Sequence, residues 1–198
     1  EFGVPLPGYV IMDLFGSPRS DLTQVKAWSD VIGAFMGGKH MPDKYRRTQD
    51  AVVGMARYFG EQIEERRRNP REGIDIISHA LDAHDDDKLT KDELIGLCSM
   101  TIFAGHETTT ALLCMAMATF ARHPDQAQKL LERPELIRPA IDELLRYAGA
   151  EGGLVRIVTE DHELGGKRLK KGDRVFGLTS GANRDPQHFP DPDTFNIE

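Results

Sequence analysis

Residues 90 to 123 contain no proline, and this stretch limits the possible folds of the chain more than any other feature. It opens with Thr90-Lys91-Asp92-Glu93, the spacing in which a threonine hydroxyl and a glutamate three residues on satisfy each other's backbone N–H groups at a helix start. The pattern then predicts an unbroken helix of about thirty residues, roughly 50 Å long at ~1.5 Å per residue. Few globular helices are that long. Residues 94 to 121 are apolar on nearly every side, so the helix is expected to run through the interior with other helices packed around it.

Shorter elements flank it. Pro5-Leu6-Pro7-Gly8 argues against helix at the start, and a short apolar segment over 9–15 leads to Gly16-Ser17-Pro18. Ser17 is the expected cap of the next helix, with Pro18 at its first position and Leu22, Val25, Trp28, Val31 and Ile32 inward. Gly37-Gly38 ends that pattern. A further helix is predicted from Pro42 to about Arg68, burying Val52, Val53, Met55, Ala56, Phe59 and Ile63, with Arg66-Arg67-Arg68 as a solvated basic end. Residues 74–83 read as a short helix. Asp85-Asp86-Asp87, the loop after it, lacks the alternating spacing and distal glutamate of a calcium loop. Beyond the long helix, the segments 124–131 and 139–147 are each opened by a proline. Past Gly152-Gly153 the apolar period changes to two, and 154–159, 162–164 and 174–178 read as strands of a small antiparallel sheet. The fold class is therefore mainly α with a small antiparallel β part, the helical part spanning about 17–148 and the β part about 152–198.

The charge balance, 25 Lys+Arg against 32 Asp+Glu for a net of −7, argues against a nucleic-acid partner. The longest apolar run, 111–117, falls far short of the ~20 residues that span a bilayer, and the N-terminus lacks a signal-peptide layout. A cytoplasmic protein with no membrane partner is expected. Cys98 and Cys114 sit in one predicted helix, about 24 Å apart along its axis, so they cannot pair. Neither has a Cys or His at metal-ligand spacing, and both read as small buried hydrophobes.

Within the long helix lies Ala104-Gly105-His106-Glu107-Thr108-Thr109-Thr110, a run that helix propensity would not choose. A threonine hydroxyl here can bond back to the carbonyl near Ala104, and with Gly105 beside it would open the helix enough to admit a ligand or a water. A carboxylate next to a hydroxyl suits a proton relay, since such groups both donate and accept. The competing reading has the threonines satisfied on the helix and Glu107 paired with a distant arginine. Zinc binding through His106-Glu107 fails, because the second histidine of that motif would fall at Thr110. Glu143 and Arg146, three residues apart, share one helix face beside Ile141, Leu144, Leu145 and Tyr147. Arg156 lies in an otherwise apolar strand, paired with an acid of the fold or presented to an anionic ligand.

In this order the segments resemble the cytochrome P-450 family of haem-thiolate monooxygenases, specifically the soluble bacterial type. Residues 104–109 are similar to the family's oxygen-activating A/G-G-x-D/E-T-T motif. Glu143-x-x-Arg146 is similar to its E-x-x-R pair, preceded by His123-Pro124-Asp125 at a helix start. Arg156 resembles the arginine that binds a haem propionate, and Asn183-Arg184-Asp185-Pro186 with Phe189-Pro190-Asp191-Pro192 resembles the approach to the haem loop.

The resemblance implies a P-450 fold, incomplete here. The iron-ligating Cys segment is expected beyond Glu198 and further helices before Glu1, so that no residue of the chain is a metal ligand. It also implies haem, O2, a ferredoxin-type electron donor and a small or medium apolar organic substrate that is hydroxylated. Thr108 would hydrogen-bond dioxygen, and Glu107 would feed it protons through water. Ala104 and Gly105 would lie against the cofactor, Gly105 leaving the groove for oxygen, and Arg156 would hold the haem. Met100, Phe103, Gly152 and Leu154 would face substrate. Glu143 and Arg146 would be structural, without the downstream arginine that usually completes their network. The alternative is a truncated, non-catalytic remnant without haem. With its covering helices absent, the long helix is expected to expose apolar surface.

Overall fold

A computed structural model describes residues 2–38, 40–70, 75–85, 89–149 and 152–198. The first correction to the sequence reading is at the start: α1 (Pro5–Phe15) is helical, with its prolines in the first turn. The first N–H groups of a helix have no intrahelical partner, so a proline loses nothing there. Gly8 lets α1 pack closely on Leu22, since a Cβ on it would fall 2.7 Å from the end of that side chain and push it aside. Gly16, left-handed at φ 61°, closes α1. Ser17 does not cap the next helix. Pro18 is extended, and a 3₁₀ turn (Arg19–Asp21) leads into α2 (Leu22–Met36).

After Asp43 at φ 50°, α3 (Lys44–Arg68) buries Ala51, Met55, Phe59, Ile63 and Arg66. Val52 and Val53 are half exposed, contrary to expectation, because the inner stripe steps by four and passes to one side of them. Arg66 also departs from the reading of a solvated end. Its side chain is 4% exposed, ion-paired with Asp75, and it donates to Ser78 Oγ at 3.0 Å. Asp75 in turn accepts the Ser78 N–H at 3.0 Å, at the start of α4 (Ile76–Asp85). That helix starts later than predicted. Ile74, and Asp86 and Asp87 of the acidic triplet, lie outside the described residues.

The long helix is α5 (Lys91–Arg122), and its capping box is formed. The Thr90 N–H donates to Glu93 at 2.8 Å, and the Glu93 N–H to the Thr90 hydroxyl at 3.3 Å. Burial is confined, however, to a line of residues at 94, 98, 102 and 106, with Thr119 further on. Leu97, Met100, Met115 and Met117 are exposed, so the helix is not enclosed on all sides, and the expected open apolar face is present. Cys98 is buried, whereas Cys114 is exposed and does not serve as a core residue.

Two compact units divide the chain, Glu1–Thr110 and Ala111–Glu198. The first has a core of Met12, Phe15, Val25, Met55, Phe59, Ile63, Ile77, Leu94, Cys98 and Ile102, with the Phe15 and Phe59 rings 5.4 Å apart. In the second, α6 (Pro124–Glu132) starts on its proline, and a 3₁₀ turn (Pro134–Leu136) runs into α7 (Ile137–Ala148). Pro139 therefore sits inside the first turn of α7 and does not open it. Leu136, Ala140, Leu144, Phe195 and Ile197 form the core here, with Phe120 and Tyr147 packed on Phe195.

The strands make two separate antiparallel ladders where one sheet was expected. β1 (Leu154–Ile157) pairs with β4 (Arg174–Gly177), and β2 (His162–Leu164) pairs with β3 (Lys167–Leu169) across Gly165-Gly166, both at positive φ. All four β1 residues are exposed. A short α8 (Thr179–Ala182) precedes the turn-rich tail.

Candidate functional site

On α5 the sequence motif is sorted onto two sides. Residues two apart are rotated by about 200°, so the buried line through Cys98, Ile102 and His106 lies nearly opposite a line through Met100, Ala104 and Thr108. Those last three are exposed. The Thr108 hydroxyl donates to the Ala104 carbonyl at 2.9 Å and that of Thr109 to Gly105 at 3.3 Å, the back-bonding expected from the sequence. The helix nevertheless runs on without interruption, so these bonds do not open it at Gly105. The missing side chain of Gly105 faces α1, and a Cβ there would meet Ile11 Cδ1 at 2.7 Å.

Glu107 is one-third exposed. Its Oε1 lies 3.1 Å from His106 Nε2 and 3.5 Å from Lys26 Nζ, so its cationic partner is a lysine of α2 rather than a distant arginine. Lys26 is held by Asp30 at 2.5 Å. Burial opposes the Lys26 charge, but Asp30 and Glu107 outweigh it and raise the ammonium above its ordinary value. No sequence signal links position 26 to position 107, since the pairing is made by helix packing.

Met100 and Phe103 line a groove of about 440 Å³ with Ile32, Met36, Val52 and Met55, with Asp92 and Ser99 among its polar members. The residues contributed by α2 and α3 had no chemical signal in the sequence beyond apolar periodicity.

In the second unit Glu143 and Arg146 form a two-pronged ion pair, with Arg146 Nε and Nη2 donating to the carboxylate at 2.6 and 2.8 Å and both side chains only 12–13% exposed. Arg146 also donates to the carbonyls of Asn183 (3.0 Å), Pro192 (2.8 Å) and Thr194 (2.9 Å), while the Asn196 N–H donates to Glu143 at 2.9 Å. The pair thereby ties α7 to the tail. Burial disfavours the Glu143 charge, but Arg146 and the Asn196 N–H more than compensate and hold its carboxyl below the usual range. Arg184 reinforces the same tail through the carbonyls of Tyr147 and Pro192, with its guanidinium 4.2 Å from the Tyr147 ring centre.

Arg156 is exposed on β1, opposite Val175 in the ladder, and donates to the Val155 carbonyl at 3.0 Å. Among the described residues no acid pairs with it. Leu154 is 42% exposed, and the Gly152 carbonyl accepts the Ser180 hydroxyl at 3.2 Å. Gly153 between them must be glycine, since a Cβ would fall 2.5 Å from the Phe176 ring. Among the described residues no group of three His, Cys, Asp or Glu could hold a metal. Burial pushes the Cys98 thiol up to about 11, with Asp75 adding to it, which keeps it protonated and unsuited to metal binding. No described helix is long and apolar enough to cross a membrane.

Comparison with known proteins identifies the family. The family model for cytochrome P-450 matches residues 22–198. The biotin biosynthesis cytochrome P-450 of Bacillus subtilis is 34% identical over 197 residues, covering 100% of this chain and 49% of that protein. The cytochrome P-450 monooxygenase PikC of Streptomyces venezuelae is 35% identical over 196 residues, covering 98% of this chain and 45% of that one. The crystal structure of the BioI cytochrome P-450, in complex with acyl carrier protein ligated to hexadec-9Z-enoic acid, superposes with a TM-score of 0.92 at 34% identity, over 99% of this chain and 50% of that one. The chain spans about half the length of the curated relatives it matches. Both the resemblance read from the motifs and the fold class read from the pattern are borne out.

Proposed function

Because the chain belongs to the cytochrome P-450 family, we propose that the whole protein is a haem-thiolate monooxygenase that uses O2 and electrons from a ferredoxin-type donor to hydroxylate a small or medium apolar organic molecule. The observation that carries this reading is the open line of Met100, Ala104 and Thr108 on α5, with the Thr108 hydroxyl and the Glu107 carboxylate on consecutive residues. A haem fits what this chain offers. Ala104 gives a small side chain on an exposed helix face, and Arg156 has no acid partner among the described residues, leaving a guanidinium fork that suits a carboxylate. A bound haem would supply the redox chemistry that activates dioxygen.

The residues of this chain bind, orient and move protons. Arg156 would hold the cofactor's carboxylate and Ala104 would let it approach α5, whereas the side of Gly105 that lacks a side chain is taken by Ile11 and gives the cofactor no room. Thr108 can turn its hydroxyl from the Ala104 carbonyl toward the open face and donate there, while Glu107, partly exposed, replenishes the proton through water. Met100, Phe103, Leu154 and the backbone at Gly152 face substrate, and the apolar lining of the Met100–Phe103 groove favours an apolar ligand. Glu143 and Arg146 keep the tail packed on α7 and do no chemistry.

The test is to express the full-length protein, measure haem per chain, and supply O2 and a reduced ferredoxin with a panel of apolar molecules. Stoichiometric haem and a product gaining one oxygen atom are expected. A folded protein that takes up no haem overturns the proposal in favour of the remnant.

A further inference from the structure

Along one face of α5, Asp92, Ile95, Gly96, Ser99, Met100 and Phe103 recur at spacings of three and four and form one wall of the groove. At ~1.5 Å per residue that wall is about 16 Å long from Asp92 to Phe103. The walls from α2 and α3 are apolar throughout, so the groove's polar side chains, Asp92 and Ser99, both belong to α5. Neither is a free donor. The Ser99 hydroxyl gives its hydrogen to the Ile95 carbonyl at 2.8 Å, which leaves only lone pairs, and an ionised carboxylate can only accept. Asp92 also differs from its neighbours at the start of α5. Lys91 is paired with Glu64 at 2.9 Å and Glu93 accepts the Thr90 N–H at 2.8 Å, whereas Asp92 has no ion pair or hydrogen bond among the described residues. One turn on, a Cβ on Gly96 would meet nothing within 4 Å among the described residues, so the way from the carboxylate to Met100 and Phe103 is open.

We propose that the groove takes an elongated organic cation, a protonated amine at one end of an apolar body, with the ammonium on the Asp92 carboxylate and the hydrocarbon lying past Gly96 to Met100 and Phe103. A carboxylate at one end and hydrocarbon along the rest complement such a molecule in both charge and polarity. An anion would meet the carboxylate and find no cationic side chain on the groove's walls, and a wholly apolar molecule would leave Asp92 with water alone. The proposal rests on the monooxygenase reading for the ligand's being a substrate, and it sets which way that substrate lies. Asp92, Gly96, Met100, Ala104 and Thr108 step by four along α5, and all five are exposed. The ammonium sits at the far end of that line from Thr108, so the hydrocarbon end is the one turned toward Ala104 and Thr108.

The test is calorimetric titration of the full-length protein with N,N-dimethyldecylamine, a hindered amine that is protonated at neutral pH, and with decanol and decanoate as its neutral and anionic counterparts. The amine should bind about fivefold or more tighter than decanol, and decanoate more weakly than either. Asp92→Asn keeps the shape and removes the charge, so it should abolish the preference for the amine and leave decanol unchanged. Gly96→Leu replaces a poor helix former with a good one at a position with room for it, so the fold should hold while the new side chain fills the groove. It should weaken the amine and decanol alike by about tenfold or more. Failure of the amine to bind, tighter binding of decanol or decanoate, an amine preference that survives Asp92→Asn, or binding indifferent to Gly96→Leu overturns the proposal. None of these readouts needs haem or turnover, so a protein that takes up no haem yet binds the amine through Asp92 overturns the monooxygenase reading alone.

Discussion

Thr108 owes its standing to where its hydroxyl is held. Bonded to the Ala104 carbonyl at 2.9 Å, it is satisfied in the helix yet sits on the exposed line, so a rotation about one bond frees it. Thr108→Ala in the full-length protein is therefore expected to leave the fold intact and uncouple the reaction, with product per O2 falling about tenfold or more and Thr108→Ser largely restoring it. The ratio of product to O2 consumed is the measurement, and unchanged coupling removes Thr108 from the relay. The identities of Glu107 and Thr108 could be picked out from sequence, because hydroxyls and a carboxylate in a long apolar helix are conspicuous. The neighbours of Glu107 could not, because Lys26 reaches it from 81 residues away through helix packing.

The helices owe their ends to local chemistry and their faces to packing. The capping box at Thr90 was readable because both of its bonds lie within four residues. Thr90→Ala should cost about 1 kcal/mol, read by urea unfolding, with Thr90→Ser close to neutral. At the α2–α3 crossing, a Cβ on Gly54 would fall 2.7 Å from the Trp28 indole. Gly54→Val should therefore destabilise by about 1–3 kcal/mol in the same assay, through overpacking of a crossing that has no room. Nothing in the local sequence around Gly54 marks it, because its constraint comes from a ring 26 residues away. The misread start of α1 has the opposite cause. Prolines stop helices in their interiors but suit the first turn, and only the packed position of Gly8 against Leu22 shows which applies.

Across the molecule, each unit contains an arginine joined to a carboxylate away from bulk solvent, the buried Arg66 with Asp75 in one and the partly buried Arg146 with Glu143 in the other. For both acids burial opposes the charge and hydrogen bonding outweighs it, so both carboxyls are depressed in the fold. Their contribution to stability is therefore complete above the ordinary values of 3.8 and 4.5 and is lost as pH falls below these through the depressed folded values. Arg146→Leu should cost about 3 kcal/mol near neutral pH, because it leaves the Glu143 charge without its ion-pair partner and the Asn183 and Thr194 carbonyls without their Arg146 donor. In acid the deficit should shrink as Glu143 is protonated. Urea unfolding of the full-length protein at neutral and acid pH checks both, and a deficit constant with pH would show that Glu143 is not the group left behind.

The chain by itself determined most of its element types, α1 apart, together with the limits of the long helix and the residues with chemical potential, since capping, proline placement, apolar period and motif spacing act within a turn or two. It also put Glu143 beside Arg146, because three residues on a helix are neighbours whatever surrounds them. Tertiary structure alone decided which faces are buried, how the strands pair into two ladders, that Arg66 is sealed inside, and that His106 and Lys26 meet Glu107. The physical reason is that those contacts join residues far apart in sequence, and their geometry is set by side-chain volume and helix crossing, for which local periodicity carries no code.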